Sequence, residues 1–210
     1  MGGGGPAKSD GGAPIRRLLQ EHGATLLRLA ARSIEHGLRH ARPVPVAVAD
    51  FAEDLRAEAA TFVTLKTDGR LRGCIGTIDA HRPLVEDVAE NGYAAAFRDN
   101  RFPRLQPDER VRLQISVSLL SEPAPLAFGS EAELLALLRP GEDGLIIRSD
   151  GRRAVFLPQV WEQLPLPTSF LAHLKQKAGL EADHWSRDFR AWRFVTASIA
   201  TGTSAARTLI

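Results

Sequence analysis

From Pro14 onward, Ile15, Leu18, Leu19, Leu26, Leu27, Leu29, Ala30, Ile34 and Leu38 recur at spacings of three and four, which predicts a helix. The stripe breaks around Gly23, leaving one long helix or two consecutive ones. Arg42-Pro43-Val44-Pro45 stops it, because proline lacks an N–H and pushes the preceding residue out of helical geometry. Asp50 is then placed to cap a short helix through Ala57. Ala60 to Lys66 and Leu71 to Ile78 read as strands joined through Asp68-Gly69, a dipeptide that tolerates the positive φ angles of a tight hairpin turn.

Asp79 and Pro83 open a second helical pattern in Leu84, Val85, Val88, Ala89, Tyr93 and Phe97, and a polar loop follows to Pro107. Leu113, Ile115, Val117 and Leu119 alternate with Arg112, Gln114, Ser116 and Ser118, the period of a half-buried strand. Glu131 to Leu138 reads as a short helix. A second hairpin runs Leu145 to Arg148, Asp150-Gly151, Ala154 to Leu157. Pro167 to Lys177 has helical spacing and closes on Gly179. Trp192, Phe194 and Thr196 alternate with Arg193 and Val195, a late strand with Phe194 in the core and Trp192 on the same face.

Hairpins set apart by helices, without steady βαβ alternation, give an α+β class: mostly antiparallel sheet flanked by helices, in a larger and a smaller subdomain. Both Asp-Gly hairpins and the 112–120 strand are expected in antiparallel sheet covered by helices on one face. Residues 1–13, with six glycines and no apolar core of a signal peptide, read as a flexible tail. Residues 14–200 form the domain and 201–210 a C-terminal tail.

Charge adds little, since 27 basic against 25 acidic residues leave +2. Acidic Asp99, Asp108 and Glu109 interleave with Arg98, Arg101, Arg104, Arg110 and Arg112, which argues against nucleic acid as a partner. The longest stretch without Asp, Glu, Lys or Arg is 13 residues, Phe194 to Ala206. A spanning helix needs about 20, so no membrane segment is expected. The single cysteine, Cys74, forms no intrachain disulfide and belongs to no CxxC set, which points to a reducing, cytoplasmic compartment. The 6 histidines show neither HxH nor HExxH spacing, so no metal and no cofactor is called for.

Leu71-Arg72-Gly73-Cys74-Ile75-Gly76 is the most unusual local feature, because glycines inside a strand mark a bulge or the close approach of another group. A thiol between glycines is open, and a guanidinium beside it favours the thiolate, the form that attacks electrophiles. The plainer alternative is that Cys74 packs as a small apolar residue. A concave site around Cys74, walled by helix 83–97 and loop 98–103, is expected. Within it Arg72, Gly73, Gly76, Asp99 and Arg101 would bind a small anionic ligand. If Arg72 and Arg101 converge, Asp99 pairs with one and leaves the other for the anion. His81 is the one histidine near Cys74 in sequence.

The hexapeptide, followed by Ala95-Ala96-Phe97-Arg98-Asp99-Asn100-Arg101-Phe102-Pro103, resembles the AMMECR-type domain, also described as AmmeMemoRadiSam system protein A. Later segments agree in order: Val117-Ser118-Leu119-Leu120-Ser121, Asp143-Gly144-Leu145-Ile146-Ile147, Leu157-Pro158-Gln159-Val160, Lys177-Ala178-Gly179-Leu180 and Trp185. The resemblance spans about Ile15 to Ile199 and implies a two-subdomain α+β fold with Memo-like and radical-SAM proteins as partners. It also implies a functional centre at Cys74 with the Asp99 and Arg101 loop beside it. Lys175 stands where some relatives carry a cysteine, so a mechanism needing a second thiol has none here. Two functions follow: a binding or accessory module acting through the Cys74 site, or an enzyme using Cys74 as nucleophile or general acid on a small anionic substrate.

Overall fold

The computed structural model describes residues 11–202; residues 1–10 and 203–210 of the expected tails lie outside the described residues. In chain order the first elements are α1 (Ala13–His40), α2 (Glu53–Arg56), β1 (Thr61–Thr67), β2 (Arg70–Gly76), α3 (Leu84–Phe97) and β3 (Leu113–Leu120). They are followed by β4 (Ala124–Pro125), α4 (Glu131–Leu137), β5 (Gly144–Ser149), β6 (Arg152–Phe156), α5 (Pro167–Lys177), β7 (Arg190–Phe194) and β8 (Thr196–Ala200). The fold is α+β, with antiparallel pairing in both hairpins.

Helix α1 runs unbroken through Gly23, where the Ile199 Cδ1 lies 2.5 Å from the place a Cβ would occupy. The gap in the apolar stripe therefore marks close packing and not a helix end. Asp50 does not cap α2. It closes its own 3-10 turn through its N–H to the Ala47 carbonyl, and the cap position of α2 falls to Ala52.

The two hairpins lie in two sheets, not one: β2-β1-β3-β8 and β4-β7-β5-β6. One unit comprises Ala13–Leu120 with the chain from Ala197, and the other Ser121–Thr196. In the first, Val63, Leu65, Ile115, Val117 and Leu119 form the inward period of the strands and pack with Leu26, Ile34, Val85 and Val88 of α1 and α3. In the second, Leu145, Ile147 and Ala191 pack with Leu134, Phe170, Leu171 and Leu174. Trp161 stacks flat on Phe170 at 3.7 Å and donates its indole N–H to the Asp143 carbonyl at 2.7 Å.

The late strand is also two strands, in different sheets. Val195 breaks it, because its N–H bonds to the Ser121 hydroxyl at 3.0 Å and its carbonyl accepts the Ser121 N–H at 2.9 Å. Phe194 is buried and covers Gly144, its partner in register. Trp192 shares that face, opposite Ile146, but is only half-buried.

Asp87, fully buried on α3, is a polar hub that the apolar periodicity of the helix does not reveal. Its carboxylate accepts from the Thr61 N–H and hydroxyl, the Thr77 hydroxyl, the Asn91 amide and Arg82 Nε, at 2.6–2.9 Å. A carboxyl group in a core is tolerable only with such compensation. The hub ties the start of β1 and the chain just beyond β2 to the first turns of α3, and so sets the frame around Cys74.

Candidate functional site

Strand β2 is an edge strand, with β1 on one side only. Its side chains alternate, so neighbouring residues face opposite ways. Gly73 faces α3, and the Ala95 carbonyl occupies the place where its Cβ would be. Gly76 is covered in the same manner by Phe62, its partner in register. The close approach that these glycines permit is intramolecular.

Cys74 consequently faces away from α3. Helix 83–97 does not wall the thiol, and in place of the concave site expected between that helix and the 98–103 loop the thiol lies on the sheet face turned away from the helix. Across that face Cys74, Thr64 and Ser116 stand in one row on β2, β1 and β3. The Thr64 hydroxyl lies 3.3 Å from the Cys74 sulfur, and the thiol residue is half-buried.

The 98–103 loop meets Cys74 from the strand edge. The Cys74 N–H donates to Asp99 Oδ2 at 2.8 Å, and Arg101 Nη2 donates to the Cys74 carbonyl at 3.0 Å. Arg101 also grips Asp99 by Nε to Oδ1 at 2.9 Å and Nη2 to Oδ2 at 2.7 Å. An acceptor and a donor thus take the place of the missing neighbour strand, one of the ways a sheet edge is closed. The Arg101 guanidinium holds the Asp99 carboxyl well below the usual carboxylate range, helped by the N–H groups of Cys74 and Arg101 and opposed by burial. Arg101 is raised chiefly by Asp99, with a smaller contribution from Cys74. Its side chain remains 54% exposed while that of Asp99 is 3% exposed.

Arg72 is not the open guanidinium that the sequence left for an anion. It is the extra residue of a bulge, since Leu65 pairs with Gly73 and Lys66 with Leu71. Glu109 takes its Nε at 2.6 Å and its Nη2 at 3.0 Å, while Nη1 is buried without a partner. The pair pushes Glu109 down and Arg72 up. His81 bonds the Asp79 carbonyl through Nδ1 at 2.9 Å and is exposed. The structure therefore joins Cys74, Asp99 and Arg101, and sets Arg72 to a structural task.

Sequence reasoning missed Thr64, Ser116 and Glu109. The register of a two-residue turn at Asp68-Gly69 puts Gly73 opposite Thr64; the bulge at Arg72 brings Cys74 to that place instead, and nothing local points to Glu109. It also missed Glu21, His22 and Asp54, whose donor atoms all lie within 4.8 Å of one another on the surface. Glu21 there is ion-paired to Arg17 at 2.8 Å. Cavities of about 400 Å³, beside Pro158 and Trp161, and about 360 Å³, beside Val44 and Glu86, are lined by other residues than Cys74.

With this geometry in place, comparison with known proteins decides the family. The AMMECR1 family profile matches residues 27–199. This chain belongs to the AMMECR1 family. A protein of Methanothermobacter thermautotrophicus is 35% identical over 188 residues, covering 87% of this chain and 94% of its own length. One of Thermotoga maritima is 35% identical over 170 residues, covering 80% and 92%. The crystal structure of an uncharacterised protein from Pyrococcus horikoshii is similar at a TM-score of 0.74, with 32% identity and coverage of 87% and 92%. Among the described residues, no helix is long and apolar enough to cross a membrane.

Proposed function

We propose that this AMMECR1-family chain is a binding or accessory module whose site is the open sheet face at Cys74. The observation that carries the reading is the division of labour around that residue. Its backbone is consumed by Asp99 and Arg101, which closes the edge to an added strand, while the Cys74 residue is half-buried and the Arg101 side chain is 54% exposed. A ligand meets side chains here and not the ladder. The thiol, the Thr64 hydroxyl and an anchored guanidinium suit a small anion such as a carboxylate. Memo-like and radical-SAM proteins, in the cytoplasm, are the partners that the resemblance adds to this reading.

The alternative is an enzyme using Cys74 as nucleophile or general acid, and a nucleophile activated by a general base would need a proton acceptor beside the sulfur. Among the described residues the side chain hydrogen-bonded to the Cys74 sulfur is that of Thr64, while Asp99 bonds the Cys74 N–H and has both of its oxygens engaged. That supports binding over catalysis.

The test is a titration of the full chain with acetate, oxalate and pyruvate, followed by amide NMR. The expected result is saturable shifts on β1 and β2 for at least one anion, with affinity reduced tenfold or more in Arg101→Ala and in Cys74→Ser. If every anion leaves those amides unmoved, or both variants bind as the parent does, the reading fails.

A further inference from the structure

Tyr93 and Phe97 lie one turn apart on α3, with ring centroids 5.0 Å apart. Each ring carries a guanidinium from the segment that follows the helix: Arg98 sits 4.9 Å from the Tyr93 centroid, and Arg104 sits 5.6 Å from that of Phe97. The rings themselves are fixed from behind. Gly37 of α1 lets both pack against that helix at a distance no larger residue allows. The Tyr93 hydroxyl donates to the Ala41 carbonyl at 2.7 Å.

Neither guanidinium has an acidic partner or a side-chain hydrogen bond among the described residues, and both residues are exposed. Asp99, the one acidic residue between them in sequence, is taken up by Arg101 and the Cys74 N–H. A guanidinium lying on an aromatic ring keeps its N–H groups free at the edge, in the fork that matches an oxyanion. Much of the entropy of ordering a long side chain has then been lost before any ligand arrives.

We propose that Arg98 and Arg104, seated on Tyr93 and Phe97, form an oxyanion site for a small phosphate-bearing ligand. The site is distinct from the one at Cys74 and does not depend on it. A small ligand is favoured over a nucleic-acid strand because Asp108 and Glu109, which follow Arg104 in sequence, interrupt the run of basic residues. A diphosphate uses both guanidiniums at once, and a monophosphate only one.

The experiment is a calorimetric titration of the full chain at low salt with pyrophosphate, inorganic phosphate and a twelve-nucleotide oligothymidylate. Pyrophosphate is expected to bind more tightly than phosphate, with at least a tenfold loss in the double variant R98A/R104A. A second double variant, R98K/R104K, keeps the charge without the planar fork and should recover only part of the affinity. Urea midpoints of all variants and the alkylation rate of Cys74 should stay near the parent's, which separates lost binding from lost folding and from the Cys74 site. Undetectable pyrophosphate binding, equal binding by parent and R98A/R104A, or tighter binding of the oligonucleotide than of pyrophosphate would each overturn the proposal.

Discussion

The two Asp-Gly hairpins share a turn and differ in everything that surrounds it. Asp68 and Gly69 have φ 52 and 77, and Asp150 and Gly151 have φ 51 and 71. In each case the second strand of the pair, β2 or β6, lies at a sheet edge. At β6 the outward carbonyl of Val155 takes Lys177 Nζ at 2.8 Å, and Arg152 and Arg153 keep the edge charged. At β2 an acid–base pair caps both the N–H and the carbonyl of one residue. The polar side chains divide the same way. Ser149 of the second hairpin is fully buried, within 2.7–3.2 Å of Ser186, His184 and Asp188. Cys74 of the first stays half-open. A turn dictates pairing; what closes the outer edge decides whether a strand supports the fold or presents a site.

The largest effect that tests this contrast is expected from Asp87→Ala, which strands a buried cluster of donors at the base of the first hairpin. It should cost about 3–5 kcal/mol in urea unfolding. Ser149→Ala, which removes one neutral hydroxyl from the second hairpin, should cost only about 1–2 kcal/mol. Similar values for the two would erase the distinction between hub and brace. Next comes Gly73→Ala, whose methyl group would overlap the Ala95 carbonyl and should cost up to about 3 kcal/mol by forcing β2 and α3 apart. A near-neutral outcome would mean that β2 is free to shift and that Cys74 is not held in place.

The smallest effect concerns pH. Asp99 is ionised in the fold well below the usual range, so its contribution is complete above about pH 4 and is lost as the pH falls further towards its folded value. Because Arg101 is more than half exposed, the contribution is about 1 kcal/mol and is reduced by salt. Asp99→Asn should flatten the stability profile between pH 4 and pH 2 by about that amount. Asp188 is also lowered, but by the Ser186 hydroxyl and the Asp150 N–H, which are neutral donors. Its counterpart, Asp188→Asn, should therefore show no comparable salt dependence.

Much of this architecture was legible because it is written in local patterns. The hairpins, the stripe of α1 and the alternation of β3 each rest on a period and a turn dipeptide. Cys74, Asp99 and Arg101 could be nominated for the same reason, as a thiol between glycines and a charged loop. Three things were hidden. The assignment of the hairpins to separate sheets depends on long-range pairing, and the change of sheet at Val195 depends on Ser121, far away in sequence. The capture of Arg72 by Glu109 needs a bulge that no turn signal announces. Asp87 is absent from the apolar stripe read in this helix, because periodicity records which face is buried and not what a buried carboxylate finds there.

The most direct test of the open site at Cys74 is the rate of its alkylation by iodoacetamide in the folded chain at neutral pH, followed as a function of added urea. Cys74 is the only thiol, so mass spectrometry reads it without ambiguity. The open face predicts alkylation of the native protein at a rate that is flat in urea below the unfolding transition. It also predicts that any anion shifting the β1 and β2 amides protects the thiol. A rate that is negligible in the native protein and rises only with the unfolded fraction would show a thiol reached solely through unfolding, and would contradict a binding site there.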